Sequence, residues 1–271
     1  MSDSETYKAH RIPVPSEFRE VFTHFYFAAN HSGEVIRKSF LPSYQIILIF
    51  SFGEKISIQS GEQQTVVAEC LLLGPVKKAF DYTLVPGSEI LVANFKGDAF
   101  YRFFGNALME KSIKVHPDHL MTDHCFSWLW SELKKITVHK KRVDFILDFS
   151  RPYLRDRHPL INRLTRFEHK NLDIVKTLAE ETGQTERNIQ LLHKKQLGYS
   201  AKEIHRYYRF LRAIEMLEQY TSREQEINWF DLIHTCGYYD QSQLIHDFKY
   251  YLGLTPVSYL KFQREICNPL G

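Results

Sequence analysis

Cysteine is scarce in this sequence, and the few cysteines are far apart. Four occur in 271 residues, at positions 70, 125, 236 and 267, and no Cys-x-x-Cys pair is present. That spacing excludes a disulfide framework and a zinc ribbon, and it fits a reducing compartment. Stability must therefore come from packed cores, for which a hydrophobic content of 44% and an aromatic content of 14% are sufficient.

Long hydrophobic segments are also absent. The longest apolar run, Ile46 to Phe50, is far too short to span a bilayer. The N-terminus, Met1 to Thr6, is polar and lacks the apolar core of a signal peptide. We therefore expect a cytoplasmic protein with no membrane partner.

A repeated pattern is present between residues 171 and 261. Leu178–Gly183 and Leu232–Gly237 are each a short apolar-periodic segment that ends at a glycine turn. Each is followed by a second helical segment, which closes with Leu-Gly-x-Ser at Leu197–Ser200 or with Leu-Gly-x-Thr at Leu252–Thr255. The repeat predicts two helix-turn-helix units in tandem.

A long helix is predicted between the two units. Ser200 and Glu203 have the spacing of a capping box, which places the helix start at Ala201, and the helical pattern continues to about Tyr220. At 1.5 Å per residue this helix is roughly 30 Å long. Its expected core stripe is Ile204, Tyr208, Leu211, Ile214 and Leu217.

Positive charge is concentrated in the first unit. The whole chain has a net charge of +3, but residues 184–212 carry seven Lys or Arg and two acids, whereas residues 213–247 carry one Arg and seven acids. Clustered cations release counterions from DNA phosphates, so the first unit is a candidate phosphate-binding surface. The alternative is that these cations belong to an ordinary solvent-exposed helix surface that binds no phosphate.

The N-terminal part favours short β-strands. Gln45–Phe52 is rich in β-branched and aromatic residues and is followed by a glycine turn. Residues 1–16 are expected to be a loose arm. Many short strands at this spacing indicate a sandwich or a small barrel. The further predicted strands are Lys55–Gln59, Thr65–Ala68, Cys70–Leu73 and Glu89–Phe95.

Helices are predicted between the strands and the repeat. Ala99–Met109, Phe126–Ile136 and Val143–Leu154 have apolar residues at helical spacing. The last two could pair with a second subunit in a homodimer or pack against their own barrel, and both interpretations stay open. Pro152 and Pro159 flank a charged stretch that is expected to be the hinge between domains.

The repeat resembles the DNA-binding domain of the AraC/XylS family of bacterial transcription regulators over residues 171–264. Besides the two helix-turn-helix patterns, the resemblance is carried by Arg209–Leu217, by Gly237–Lys249 and by Leu252–Pro256. The family implies two subdomains joined by a rigid helix, each of which places a recognition helix in a major groove of double-stranded DNA. RNA polymerase is a further partner that the resemblance implies.

Helical geometry separates two sides of each recognition segment, at residues 185–196 and 241–251. The apolar side is expected to face inward and the polar side to face DNA. Arg and Gln can read guanine and adenine edges, and Lys and Ser can bind phosphates. Together with the resemblance, this geometry gives the predicted DNA contacts, which are Thr185, Glu186, Arg187, Gln190, Leu191, Lys194, Gln241, Ser242, Gln243, His246 and Lys249.

Three residues depart from the family pattern. Leu191 stands where the family often has Arg, so its side chain can only contact a thymine methyl group or make no contact with a base. Ile233 replaces a small Ala, which predicts wider helix packing in the second unit, and His193 replaces a common Phe. Asp240 and Gln243 have capping-box spacing, so Asp240 is predicted to be a cap and not a base reader.

The N-terminal region resembles the cupin-like sensor domains that often accompany this family. The resemblance implies a pocket inside the barrel that binds a small-molecule effector. Aromatic residues are the candidates for its lining, and ordinary core packing is the alternative for each of them. The candidates are Phe25, Phe27, Phe40, Tyr44, Phe50 and Phe95.

Catalytic motifs are missing from the chain. No GxSxG, HExxH, phosphate-loop or GxGxxG pattern occurs. His116, Asp118, His119 and His124 are close in sequence, but a cupin metal site needs His-x-His within a strand, a Glu and a distant His. We therefore predict no catalytic residue, no metal and no cofactor, and we interpret the histidines as surface loop residues.

The sequence thus predicts an α+β protein in three parts. A cupin-like β-barrel or sandwich sensor domain is expected at residues 1–120 and a helical linker, which is a candidate dimerisation region, at 121–165. An all-α DNA-binding domain with two helix-turn-helix units joined by a long helix is expected at 166–271. The predicted function is a sequence-specific transcription regulator controlled by a small molecule. The alternatives are a constitutive regulator whose N-terminal domain only dimerises and a cupin-type enzyme with an accessory DNA-binding tail.

Overall fold

The computed structural model describes residues 6–105, 113–121, 123–167 and 174–262. Strands dominate the first part of the chain and helices the second, which confirms the α+β class. The strands are β1 (Tyr7–Ile12), β2 (Phe22–Asn30), β3 (Ile36–Phe40), β4 (Ile47–Gly53), β5 (Ile56–Ser60), β6 (Gln63–Val67), β7 (Cys70–Gly74), β8 (Phe80–Leu84), β9 (Ser88–Phe95) and β10 (Ile113–Val115). The helices are α1 (Ala99–Phe104), α2 (Cys125–Lys135), α3 (His139–Ser150), α4 (Pro159–Phe167), α5 (Ile174–Thr182), α6 (Glu186–Leu197), α7 (Ala201–Ser222), α8 (Trp229–Cys236), α9 (Gln241–Leu252) and α10 (Pro256–Phe262).

The strands form a sandwich of two antiparallel sheets. The order is β1-β2-β9-β4-β7-β10 in the larger sheet and β3-β8-β5-β6 in the smaller one. Ile47 and Ile49 of β4 and Ile56 and Ile58 of β5 belong to one buried cluster that lies between the sheets. The predicted β-sandwich is therefore confirmed.

The larger sheet is covered on both faces. Leu48 and Phe50 alternate with Ile47 and Ile49 along β4, and they pack on the outer side against α1, α2 and α3. Burial on both faces explains why β4 is a continuous apolar run and not an alternating one. The indole Nε1–H of Trp130 on α2 also donates to the Ser51 carbonyl oxygen at 2.8 Å. The two linker helices thus pack against their own sandwich, which was one of the two open interpretations.

Two expectations about element boundaries are corrected. The N-terminal arm is not loose throughout, because Tyr7–Ile12 is the edge strand β1, paired along its length with β2. Its side chains are mostly exposed, so no apolar alternation marks it in the sequence. Helix α3 ends at Ser150, since Pro152 follows in a short 3-10 turn. Helix α1 ends at Phe104, and residues 106–109 of the predicted helix lie outside the described residues.

The helical part has a core of its own, arranged around α7. The predicted capping box is present, since the Glu203 N–H donates to Ser200 Oγ at 3.2 Å and the Ser200 N–H donates to Glu203 Oε2 at 2.8 Å. Tyr208 and Leu211 of the predicted core stripe are only half-buried. The neighbouring Tyr207 and Phe210 are buried in their place.

Among the described residues, no helix combines the length and the apolar character that crossing a membrane requires.

Candidate nucleic-acid interface

The first helix-turn-helix unit consists of α5 and α6, with a turn at Gly183 between them. Thr185 precedes α6, and its hydroxyl accepts a hydrogen bond from the Asn188 N–H at 3.2 Å. His193 is buried, and its Nδ1 lies 2.8 Å from the Tyr199 carbonyl oxygen. Burial lowers the pKa of His193, so its neutral ring donates the Nδ1–H to that carbonyl. A Phe at this position could fill the core but could not make this bond.

The opposite side of α6 is exposed. Arg187, Gln190, Leu191 and Lys194 lie there, and we call these four residues the first reading face. Within residues 6–105, 113–121, 123–167 and 174–262, the side chains of its three polar members form no hydrogen bond or ion pair. Glu186 is also exposed, and its charge in the first turn suits the positive end of the helix dipole.

The second unit consists of α8 and α9, with a turn at Gly237. The carboxylate of Asp240 accepts a hydrogen bond from the Gln243 N–H at 2.8 Å, which confirms the predicted cap. The amide oxygen of Gln243 accepts in turn from the Tyr239 N–H at 3.0 Å. The side-chain oxygen of Gln243 thus serves the cap, and its DNA contact stays a prediction. The Thr185 hydroxyl likewise accepts a hydrogen bond in the N-terminal cap of its own helix, α6.

The exposed side of α9 carries Gln241, Ser242, His246 and Lys249, which we call the second reading face. In the described part of the chain, these four side chains also have no hydrogen-bond or ion-pair partner. Each helix-turn-helix unit thus presents side chains whose hydrogen-bonding groups are available to a ligand.

A buried carboxylate joins the second unit to the connecting helix. Asp247 on α9 is 1% exposed, and it accepts hydrogen bonds from Arg206 Nε at 2.6 Å and from an Arg209 terminal nitrogen at 2.9 Å. The Arg209 guanidinium also lies 4.5 Å from the centre of the Tyr238 ring. These contacts fix the orientation of α9 relative to α7.

The Asp247 cluster corrects the expected phosphate-binding surface. Arg206 and Arg209 are two of the seven cations counted in residues 184–212, yet both are committed to Asp247. The exposed cations Arg187 and Lys194 remain on the first reading face. The sequence analysis did not predict this cluster. A signal for it was present, because the acidic Asp247 occupies the position in the second copy that the apolar Leu192 has in the first.

One loop of the sandwich, residues 75–79, contacts the ends of both recognition helices and the start of α7. Pro75 lies against Gly198, which follows α6. Lys77 Nζ forms an ion pair with Glu203 Oε1 of α7 at 2.7 Å. At the end of α9, Lys78 Nζ lies 4.7 Å from the centre of the Tyr250 ring, and the Ala79 N–H donates to the Tyr251 carbonyl oxygen at 2.8 Å. The same loop is tied to a second loop, because the N–H groups of Ser43 and Tyr44 both donate to the Val76 oxygen at 3.0 Å. The sandwich therefore touches both reading units through these two loops, residues 42–44 and 75–79, which are bonded to each other and which we call the platform.

A groove of about 370 Å³ separates the sandwich from α7. Arg11, His24 and Gln45 line its sandwich side, and Tyr208 and Leu211 line its helical side. Burial, reinforced by the charge of Arg11, lowers the pKa of His24 to about 4, so its ring is neutral at neutral pH. The groove thus combines apolar walls with a few polar groups, which is the usual composition of a small-molecule site.

The six aromatic residues predicted to line an internal pocket are divided among three places in the molecule. Phe25, Phe27, Phe50 and Phe95 pack on the face of the larger sheet that α1, α2 and α3 cover, and not between the two sheets. This corrects the expected location, because strand alternation directs these side chains away from the sandwich interior. Phe40 lines the interdomain groove, and Tyr44 packs on Tyr199 and Tyr207 of the helical part.

The histidine-rich segment has structural contacts. His116 Nε2 lies 3.0 Å from Cys70 Sγ, and the buried Asp118 carboxylate accepts the N–H groups of Phe126 and Ser127 at the start of α2. Burial raises the pKa of the Cys70 thiol, which keeps it protonated and unreactive at neutral pH. Across the residues that the structure describes, no three His, Cys, Asp or Glu side chains are grouped as metal ligands would be.

Among the comparisons with known proteins, a family model matches the helical part and solved structures match nearly the whole chain. The family model HTH_18, a helix-turn-helix domain, matches residues 178–261. ToxT from Vibrio cholerae is a similar solved structure, with 11% identity, a TM-score of 0.42 and coverage of 95% of this chain and 98% of that one. Unsaturated fatty acid-bound ToxT from Vibrio cholerae strain SCE256 has 10% identity, a TM-score of 0.41 and 98% coverage of both chains. The AraC-like transcriptional activator CuxR has 11% identity, a TM-score of 0.25 and coverage of 69% and 80%. No curated protein matches the sequence.

Proposed function

We propose that this chain is a DNA-binding transcription regulator of the AraC type. Its two helix-turn-helix units read two successive major grooves of one DNA duplex, and a small molecule controls it. Under this proposal the chain is a transcription factor and not an enzyme. The proposal assigns residues 1–120 to a cupin-like sensor, 121–165 to a helical linker and 166–271 to DNA binding.

The DNA proposal depends on one observation: each unit keeps an exposed reading face whose polar side chains are unpaired among the described residues. Other cations nearby, such as Arg206 and Arg209, are already paired. The two units are joined by α7, whose 22 residues correspond to about 33 Å. Successive major grooves on one side of DNA are about 34 Å apart, so the length of α7 matches that spacing.

A DNA-selection experiment tests this proposal. Sites would be selected from random duplexes with the full chain, and affinities measured by fluorescence anisotropy at fixed salt. The double variant Arg187→Ala and Gln241→Ala, with one change on each reading face, should bind the selected site at least about tenfold more weakly. Arg223→Ala with Gln225→Ala removes the same residue types from the exposed α7–α8 connection and should leave affinity unchanged. Equal affinities for the two double variants would contradict the proposal.

The effector proposal is supported by the groove between the sandwich and α7. A molecule with an apolar body and a polar head would suit its walls, with Arg11 as the cationic partner of an anionic head. Pro42 and Ser43 line the groove and belong to the platform that contacts the recognition helices. The Tyr207 hydroxyl on α7 also donates to the Pro42 oxygen at 2.5 Å. A ligand in this groove would therefore change contacts on which the placement of both units depends.

An unsaturated fatty acid, the ligand of one ToxT structure, is a suitable first probe. We expect it to change the affinity of the full chain for the selected DNA. Arg11→Gln should reduce this response, whereas Arg19→Gln, an exposed arginine outside the groove, should not. A response that is identical in both variants would place the ligand elsewhere.

The constitutive dimer remains the second candidate because of one residue. Trp128 on α2 is 52% exposed beside Phe145 and Phe149 of α3. If this surface pairs two copies, Trp128→Ala should convert a dimer to a monomer in sedimentation velocity, and small molecules should leave DNA affinity unchanged. A monomeric full chain would exclude this alternative.

A further inference from the structure

Leu191 is an apolar residue at the centre of a polar surface. It lies on the first reading face, 56% exposed, with Arg187 four residues before it and Lys194 three residues after it on the same side of α6. Single exposed leucines are common on protein surfaces and need no explanation. This one, however, is flanked by side chains that have no partner among the described residues and are placed to meet DNA.

The chemistry of the major groove limits what Leu191 can meet there. Each base pair presents hydrogen-bond donors and acceptors, and the 5-methyl group of thymine is the apolar feature of this surface. Leucine has no hydrogen-bonding group in its side chain, so against guanine or cytosine it would cover polar edge atoms without replacing their water. Against a thymine methyl it would bury apolar surface on both partners.

We propose that Leu191 packs on a thymine 5-methyl group and makes the first unit specific for thymine at that position. This inference rests on the proposed DNA-binding function, and it assigns one base of the DNA sequence that the first unit recognises. The corresponding residue of the second unit is the exposed His246, which can hydrogen-bond to a base edge. The two half-sites should therefore differ, and only the first should depend on a methyl group read at this helix position.

Replacing thymine with uracil tests the contact directly, because uracil lacks the 5-methyl group and keeps the other base edges. Each thymine in the selected site would be replaced in turn, and the affinity of the full chain measured. Burial of one methyl group predicts about a fourfold loss of affinity at one position in the first half-site. The variant Leu191→Ala should bind the thymine and uracil duplexes equally at that position.

Two further variants sharpen the test. Val66→Ala removes a similarly exposed apolar residue from β6, on the sandwich, and should keep the full thymine preference. Leu191→Arg supplies a bidentate donor, and it should move the preference at the same position from thymine to guanine. Since Leu191 is exposed, all of these proteins should fold, which circular dichroism can verify.

Three results would overturn the inference. If uracil is bound as well as thymine at every position of the first half-site, or if the methyl preference survives in Leu191→Ala, Leu191 does not read a methyl group, while the proposed DNA-binding function stands. If no DNA sequence is selected at all, both the inference and the proposed function fail.

Discussion

The carboxylate of Asp247 on α9 accepts a hydrogen bond from Arg206 Nε on α7 at 2.6 Å, and the carboxylate is almost fully buried. One charged contact thus connects the second recognition helix to the helix that joins the two units. Charge-assisted bonds of this kind are short and directional, so they fix orientation as well as distance. The placement of the second reading face depends on this pair.

Replacing Asp247 with Asn should destabilise the protein. The variant keeps the shape of the side chain but leaves the Arg206 and Arg209 charges without their counter-charge. We expect the free energy of unfolding to fall by about 3 kcal/mol, at the lower end for buried pairs because both arginines are partly exposed. Urea unfolding monitored by circular dichroism measures the change. Asp240→Asn is the matched control on the same helix, since Asn caps helices as well as Asp does; equal losses in the two variants would contradict the assignment.

Gly198→Ala should loosen the contact between the first unit and the sandwich. Gly198 has φ +79°, and a β-carbon there would lie 2.9 Å from Pro75 Cγ and 3.0 Å from the Tyr101 hydroxyl. Gly253 ends α9 in the same left-handed conformation, with φ +72° and nothing within 4 Å of such a carbon. Both variants carry a backbone cost of about 1–2 kcal/mol.

Only Gly198→Ala adds the collision with the sandwich. We therefore expect it to lower the melting temperature more than Gly253→Ala does. It should also accelerate limited proteolysis between the sandwich and the helical part. Identical melting temperatures and cleavage rates would show that Pro75 is not held against α6 in solution.

Tyr207→Phe should weaken the link between α7 and the part of the platform that contains Pro42. The change removes the hydrogen bond to the Pro42 oxygen and leaves that carbonyl without this donor. The expected loss is about 1–2 kcal/mol in the free energy of unfolding, measured by urea titration. Tyr239→Phe deletes the same hydroxyl from a side chain that is 92% exposed, and it should change stability by less than about 0.5 kcal/mol. A neutral Tyr207→Phe would argue against the docked arrangement.

Stability should fall as the solution becomes mildly acidic. The pKa of His24 is lowered to about 4 in the folded protein by burial and by Arg11, whereas an unfolded histidine titrates near about 6.5. Between these values the unfolded chain binds a proton that the folded chain excludes, so the free energy of unfolding decreases as pH falls through this window. Buried His193, whose pKa is also lowered, acts in the same direction.

Urea unfolding at about pH 7 and about pH 5 measures this slope. His24→Gln should give a smaller pH dependence than the wild type. His31→Gln, which changes an exposed histidine, should keep the wild-type dependence. An unchanged slope in His24→Gln would contradict the burial of a neutral ring in the groove.

The two helix-turn-helix units were predictable because their signals are local. Thr185, Ser200 and Asp240 cap helices through bonds to residues three positions away, and glycines at 198 and 253 end helices in left-handed conformations. Such contacts depend on short stretches of sequence, so periodicity and capping rules recover them.

The interdomain contacts could not be predicted in the same way. The Tyr207–Pro42 bond joins residues 165 positions apart, and the choice of Tyr207 over Tyr208 as the buried residue depends on how the sandwich docks on α7. The aromatic pocket was misplaced for a related reason. Alternation assigns Phe25 and Phe50 to one face of the sheet, but it does not say that α1, α2 and α3 cover that face.

Footprinting of the selected DNA at single-base resolution is the most direct test of the central claim, that α7 holds both reading faces against one side of a duplex. The account predicts two protected segments on the same face of the DNA, with centres about 10 base pairs apart. Arg187→Ala should weaken one segment and Gln241→Ala the other. A single protected segment, or two segments on opposite faces of the duplex, would contradict the account.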